Sequence, residues 1–201
     1  MTTYAFPTLS VGPSEVSVEY SANTAVSRSP LSRATQTVAR DGDLWEFRIT
    51  YQSLRADDKA VAKAFFSKLR GNYHRFTVRD FGNTQRGAFG GTPLVAGANQ
   101  TGTSIDIDGA STGITNWIRA GDMFSVNGEL KMCTDDANSD GSGNVTINFV
   151  PPLRRAPADN AVITTTDATG TFMLIDNVFG WTNRPGDFAD MTIICSEDIN
   201  A

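Results

Sequence analysis

Few side chains in this 201-residue sequence are of the kinds that carry out reactions, and their spacing decides what each could do. The single histidine, His74, stands between Tyr73 and Arg75. No Gly-x-Ser-x-Gly elbow accompanies it, so a serine triad has no parts to assemble. Carboxylates do come in pairs, at Asp57-Asp58, Asp106/Asp108 and Asp135-Asp136, and a glycosidase needs two. Each pair has a local reading instead: a helix start for the first, strand ends or a polar strand face for the others. The segment from Asp136 to Asn144 matches the opening of a calcium loop. It has oxygen side chains at Asp136, Asn138 and Asp140, Gly141 at the sixth position and Asn144 at the ninth. The twelfth position is Ile147, where a bidentate Glu belongs, and Val145 to Phe149 read as a strand rather than a helix. The segment therefore reads as a turn between strands, with a weak calcium site through Asp136, Asn138 and Asp140 as the alternative.

The remaining candidates fall in the same way. Cys133 and Cys195 occur without a Cys-x-x-Cys motif and read as small buried hydrophobes, not as zinc ligands. No phosphate-cradling loop is present, and Gly87 to Gly91 lacks the strand-to-helix setting of a dinucleotide site. No catalytic, cofactor-binding or metal-ligating residue is assigned, no cofactor is expected, and the chain is expected not to be an enzyme.

The elements that would position these residues are mostly strands. Trp45 to Tyr51 alternates apolar and polar residues without a fault, the mark of a strand with one buried face. The period then changes over residues 56 to 70, with Val61, Phe65 and Leu69 at helical spacing, acidic residues at the start and Lys68 and Arg70 at the end. Gly71 supplies the stop. A strand follows over Tyr73 to Asp80, and looser ones are expected at Val16 to Tyr20 and Thr35 to Ala39. From Phe81 to Gly102 six glycines break the pattern, which reads as a boundary. Beyond it, Ser104 to Asp108 alternates, and Met123 to Val126 and Glu129 to Cys133 flank Asn127-Gly128, a strong hairpin signal. Val145 to Phe149 completes a three-stranded meander that Pro151-Pro152 is expected to end. Strands are also expected at Ala161 to Thr165, Phe172 to Ile175 and Met191 to Cys195.

The last two strands are too short to form a core alone and return to complete the first sheet. The expected architecture is mainly β: a β-sandwich with one helix, built from residues 1–83 and 166–201, interrupted by a small inserted β-barrel or β-meander domain at 84–165. Composition agrees. Charged residues make up 19%, below the usual ~25%, while Ser, Thr and Asn together supply 51 residues. The net charge of −5 argues against a grip on nucleic acid, which needs clustered Lys and Arg. That charge is uneven, at +3 over residues 1–83, −3 over 84–165 and −5 over 166–201. Met1 to Ser10 shows no signal peptide and no run approaches the ~18 apolar residues of a membrane helix, so synthesis in a cytoplasm and no membrane partner are expected.

The segment from Ala64 to Phe81, AFFSKLRGNYHRFTVRDF, resembles the helix, glycine and strand core of distal tail proteins from long-tailed bacteriophages and gene transfer agents. Tyr4-Ala5-Phe6-Pro7, Arg119 to Phe124, Asn127 to Met132 and Pro151 to Asp159 look like the same group. The resemblance implies a structural virion protein at the tail tip, part of the baseplate region, assembled in the host cytoplasm as a homohexameric ring. It implies as partners other copies of the chain, the tail-tube protein and the tail hub protein, and receptor-binding proteins reached through the insert. Double-stranded DNA would pass through the lumen without specific binding, which favours a lumen with more acidic than basic side chains. Two other readings are a tail-tube subunit, which would need a long β-hairpin loop, and, in a different class, a carbohydrate-binding module.

Overall fold

In a computed structural model, which describes residues 1–40 and 42–200, the chain is mainly β with one helix and several sheets, one of them curled into a half-barrel. The elements in chain order are β1 (Thr3–Ala5), β2 (Glu15–Ser21), β3 (Thr24–Arg28), β4 (Thr35–Ala39), β5 (Leu44–Leu54), α1 (Ala56–Lys68) and β6 (Arg75–Arg79). There follow β7 (Gly91–Val95), β8 (Gly102–Ala110), β9 (Met123–Val126), β10 (Glu129–Cys133), β11 (Val145–Leu153), β12 (Thr169–Leu174), β13 (Thr182–Arg184) and β14 (Phe188–Glu197).

The first sheet has the order β1-β6-β12-β14-β5-β2, with β13 on the end of β14. Strands from both ends of the sequence therefore interleave, and β14 pairs with β5 from Ser196↔Glu46 to Ala189↔Leu54. Alternation along β5 buries Trp45, Phe47, Ile49 and Tyr51 on one face, where they meet Phe76, Val78, Phe172 and Ile193. Each such large side chain contributes about 1.5–3 kcal/mol on burial. The second sheet, β7-β8-β11-β10-β9, has its own core of Ile105, Ile107, Trp117, Phe124, Val145, Ile147 and Phe149. The third sheet is β3 and β4 alone.

The helix covers the core of the first sheet, but not with the expected stripe. Val61 is 47% exposed, and the buried face is Asp58, Ala62, Phe66 and, just past the helix, Leu69. Phe66 takes the inward position and Phe65 lies half-buried beside it, because Phe6 packs against both rings and tilts the seam by one residue. The expected stop holds: Gly71 sits at φ +65 with Arg70 at +54 before it.

Three further expectations are corrected. Ala161 to Thr165 forms isolated bridges instead of a strand, since Val162 meets Leu94 while Thr164 meets Ser125, two different strands. Pro151-Pro152 does not end β11, which runs to Leu153; the prolines sit where the register with β8 shifts, at a bulge that needs no N–H from them. The glycine-rich stretch contains β7, and Gly87 is there because a Cβ would lie 2.6 Å from the Trp117 carbonyl oxygen.

Candidate functional site

The residues with chemical potential are occupied in holding the fold. His74 accepts the Thr2 N–H through Nδ1 at 3.2 Å, with Tyr4 and Tyr73 edge-on to its ring, and so anchors β1. Asp58 accepts the Ser10 N–H at 2.8 Å and the Ser10 hydroxyl, and these bonds hold its carboxyl below the ordinary range. They tie the crossing segment between β1 and β2 to the start of the helix. Its neighbour Asp57 is exposed. Asp106 accepts the Thr146 hydroxyl across the β8–β11 ladder at 2.6 Å, and Asp135 the Thr134 hydroxyl at 2.9 Å.

The calcium-like loop uses its oxygens on itself and its neighbours. Asp136 accepts from Ala120 N–H at 2.9 Å and lies 3.8 Å from Arg119. Asn138 accepts from Asn116 N–H at 2.7 Å. Asp140 accepts from Ser142 and Asn144 N–H groups and from the Asn144 side chain, and these bonds lower its pKa. Among the described residues no group of three or more His, Cys, Asp or Glu stands where it could hold a metal ion. Cys133 and Cys195 are buried in different cores, and burial raises their thiols to about 11 and about 12.

The charge blocks resolve within one chain. Lys59 pairs with Asp187, Arg75 with Asp198 at 2.5 Å and Arg79 with Asp167, so bases of the first block meet acids of the last. A fourth acid of that block, Glu197, turns to the second sheet. Its carboxylate accepts from Arg154 at 2.8 Å and from the Leu130 N–H at 3.2 Å, while Trp45 donates its indole N–H to the Leu130 carbonyl at 3.1 Å. Lys131, fully buried, donates to Glu129 at 2.6 Å and to the Pro152 carbonyl at 2.8 Å, and desolvation lowers its pKa. This junction was invisible in the sequence because its members lie up to 152 positions apart. It is joined by the Asn127-Gly128 turn, whose Gly128 carbonyl accepts the Thr171 N–H of β12 at 2.9 Å.

Two surfaces are left without an internal use. The first is the ribbon of β3 and β4, paired from Thr24↔Ala39 to Arg28↔Thr35 and with no other strand. It prolongs the β2–β5 pair beyond the sheet. At its base Asp43 accepts from the Tyr20 hydroxyl at 2.5 Å and the Asn23 N–H at 2.6 Å. Burial, then the Asp43 bond, raise Tyr20 to about 12. At its far end the Ser29 N–H donates to the Ala34 carbonyl at 2.9 Å, closing the turn. Val26, Val38 and Leu31 are exposed, Leu31 at 97%. Residues 20–40 carry Arg28, Arg33 and Arg40 and no acid.

The second is a cleft of about 510 Å³ at the mouth of the first sheet, walled by Phe6, Leu9, Val11 and Phe81 with Arg79 and Asp167 at its edge. Tyr51 lines it; only 2% of that residue is exposed, and its hydroxyl makes no hydrogen bond among the described residues. Burial raises this hydroxyl to about 12, so it is a donor at neutral pH. No described helix is long and apolar enough to cross a membrane. No protein-family model matches the chain, and no curated protein matches it.

Proposed function

We propose that the protein is a structural subunit that closes into a ring, of six copies on the resemblance, at the distal end of a long phage tail. The ring joins the tail tube to the hub and lets DNA pass through its lumen. The observation that carries this reading is the outlying ribbon. A two-stranded ribbon with no third strand is marginal on its own in water, and this one exposes Val26, Leu31 and Val38 beside three arginines. Residues 20–40 carry +3, which leaves −8 on the other residues. Such an arm gains most by lying against an acidic body, and a second copy of the chain is one.

The first sheet, woven from both ends of the sequence with one helix over it, supports the same assignment, because the resemblance places the ring-forming part there. The second sheet then projects as the surface for receptor-binding proteins. The ribbon also favours one other reading, a tail-tube subunit, which needs a long hairpin of this kind. Solution mass with negative-stain imaging separates them. Six copies of 21.6 kDa give closed rings of about 130 kDa; open-ended tubes would replace the first reading by the second, and a monomer at every concentration tested would sink both.

A further inference from the structure

We infer that the tip of the ribbon of one copy, Pro30-Leu31, seats in the Tyr51 cleft of the next copy. This rests on the self-assembling reading above and names the contact that would carry it. The tip is an apolar knob, since Leu31 is 97% exposed at the far end of the ribbon. Its Pro30 and Leu31 carbonyls accept no hydrogen bond among the described residues. The cleft is the matching hole. Its volume of about 510 Å³ lies within the range of ~300–1,000 Å³ typical of sites that enclose a ligand in apolar walls with a few polar groups.

Tyr51 supplies the polar group: a buried ring whose hydroxyl has no hydrogen-bond partner among the described residues and which lines a space with Phe6, Leu9, Val11 and Phe81. A tip carbonyl would accept from it. Charge agrees as well, because Arg28 and Arg33 flank the tip, while in the small hollow that adjoins the cleft Asp167 is taken up by Arg79 and Asp80 is left as an acid with no ion pair among the described residues. A copy does not fill its own cleft with its own tip. The ribbon leaves β5 at Leu44 and the cleft lies at Tyr51, so the two are at opposite ends of seven residues of extended strand, roughly 23 Å. Knob and hole are different surfaces, so the contact is head-to-tail, and repeating it gives a ring if the rotation closes and a filament if it does not.

The test is photo-crosslinking of the full chain with p-benzoyl-phenylalanine in place of Leu31, using a mixture of ¹⁵N-labelled and unlabelled copies. Labelled-to-unlabelled cross-links from position 31 to residues 6–13 or 79–81 are expected. Leu31→Asp should raise the dissociation constant of the contact about tenfold or more, the worth of one buried leucine, with the monomer's melting temperature unchanged. Tyr51→Phe, which keeps the ring in the core, should weaken assembly by a smaller factor. Assemblies that form normally but cross-link elsewhere would overturn the cleft and leave the ring standing. No assembly and no cross-link between copies, at any concentration, would overturn both.

Discussion

The second sheet and the ribbon both extend away from the first sheet, and they are built on opposite terms. The second sheet brings a core of its own, with Trp117, Phe124 and Phe149 fully or almost fully buried, and it meets the first sheet through a buried ionic network. The ribbon brings no core. All its strand residues but the half-buried Ala25 are exposed, and hydrogen bonds at its base and within its own ladder hold it. Rigid attachment suits a surface that must present something at a fixed angle. An unsheltered arm suits a surface whose shelter comes from elsewhere.

The largest effect is expected at the rigid junction. Glu197 is 1% exposed at its side chain and neutralises Arg154 while accepting the Leu130 N–H. Glu197→Ala leaves that buried guanidinium with the Asp43 carbonyl and with Glu129, 3.9 Å away and already shared with Lys131, while two of its nitrogens, Nε and Nη1, make no hydrogen bond. Removing one partner of a buried pair costs about 3–5 kcal/mol. The denaturant midpoint should fall accordingly, and a change under about 1 kcal/mol would mean that water reaches the network and the junction is looser than it looks. Glu197→Gln, which keeps the acceptor for Leu130, should lie between the two.

A smaller and pH-dependent effect is expected where the crossing segment meets the helix. Folding lowers the Asp58 pKa through the Ser10 bonds, so the ionised carboxylate stabilises the fold. That contribution is whole above the unfolded value of about 3.9 and is lost as pH falls through the lower folded value. Wild type should therefore exceed Asp58→Asn in stability at neutral pH, and the gap should narrow and then close as pH is taken below the unfolded value and through the lowered folded one. Equal acid limbs in both proteins would show that the tie between segment and helix carries no stability.

These two sites differ in how far the sequence foretold them. Strands with an unbroken period were legible: Trp45 to Tyr51 and Ser104 to Asp108 are strands with the expected faces buried, and Asn127-Gly128 turns a hairpin with both residues at positive φ. The helix was legible in extent but not in rotation, because adjacent Phe65 and Phe66 satisfy the periodicity equally and only the tertiary contact with Phe6 chooses between them. The pair Asp57-Asp58 was read as a helix start, which it is, but its hydroxyl partner lies 48 residues upstream. Half of the ribbon was legible, since Thr35 to Ala39 is the expected strand, and the other half escaped for a different reason. Thr24 to Arg28 has weak apolar content, so its strand character comes from continuing the β2–β5 register instead of from a buried face. The acids of the last block were legible only as an excess of charge, and their partners were not: most of them neutralise Lys59, Arg75, Arg79 and Arg154 of the same chain.

The ribbon should show the smallest effect on the fold. Val26→Asp with Val38→Asp places charges on side chains 64% and 49% exposed, in a ladder that packs on nothing else. Surface changes of this kind usually stay within ±0.5 kcal/mol. Unfolding of the monomer should therefore be unchanged within that limit. Assembly should not be, because the new carboxylates put like charge against an acidic neighbour and an apolar contact is lost at the same time. A fall in monomer stability comparable to that of Glu197→Ala would show that the ribbon leans on its own chain after all, and the contrast with the second sheet would disappear. Unchanged stability together with unchanged assembly would leave the arm with no shelter in any state, and the reason for keeping three arginines and three exposed aliphatic side chains on it would have to be sought in a partner other than this chain.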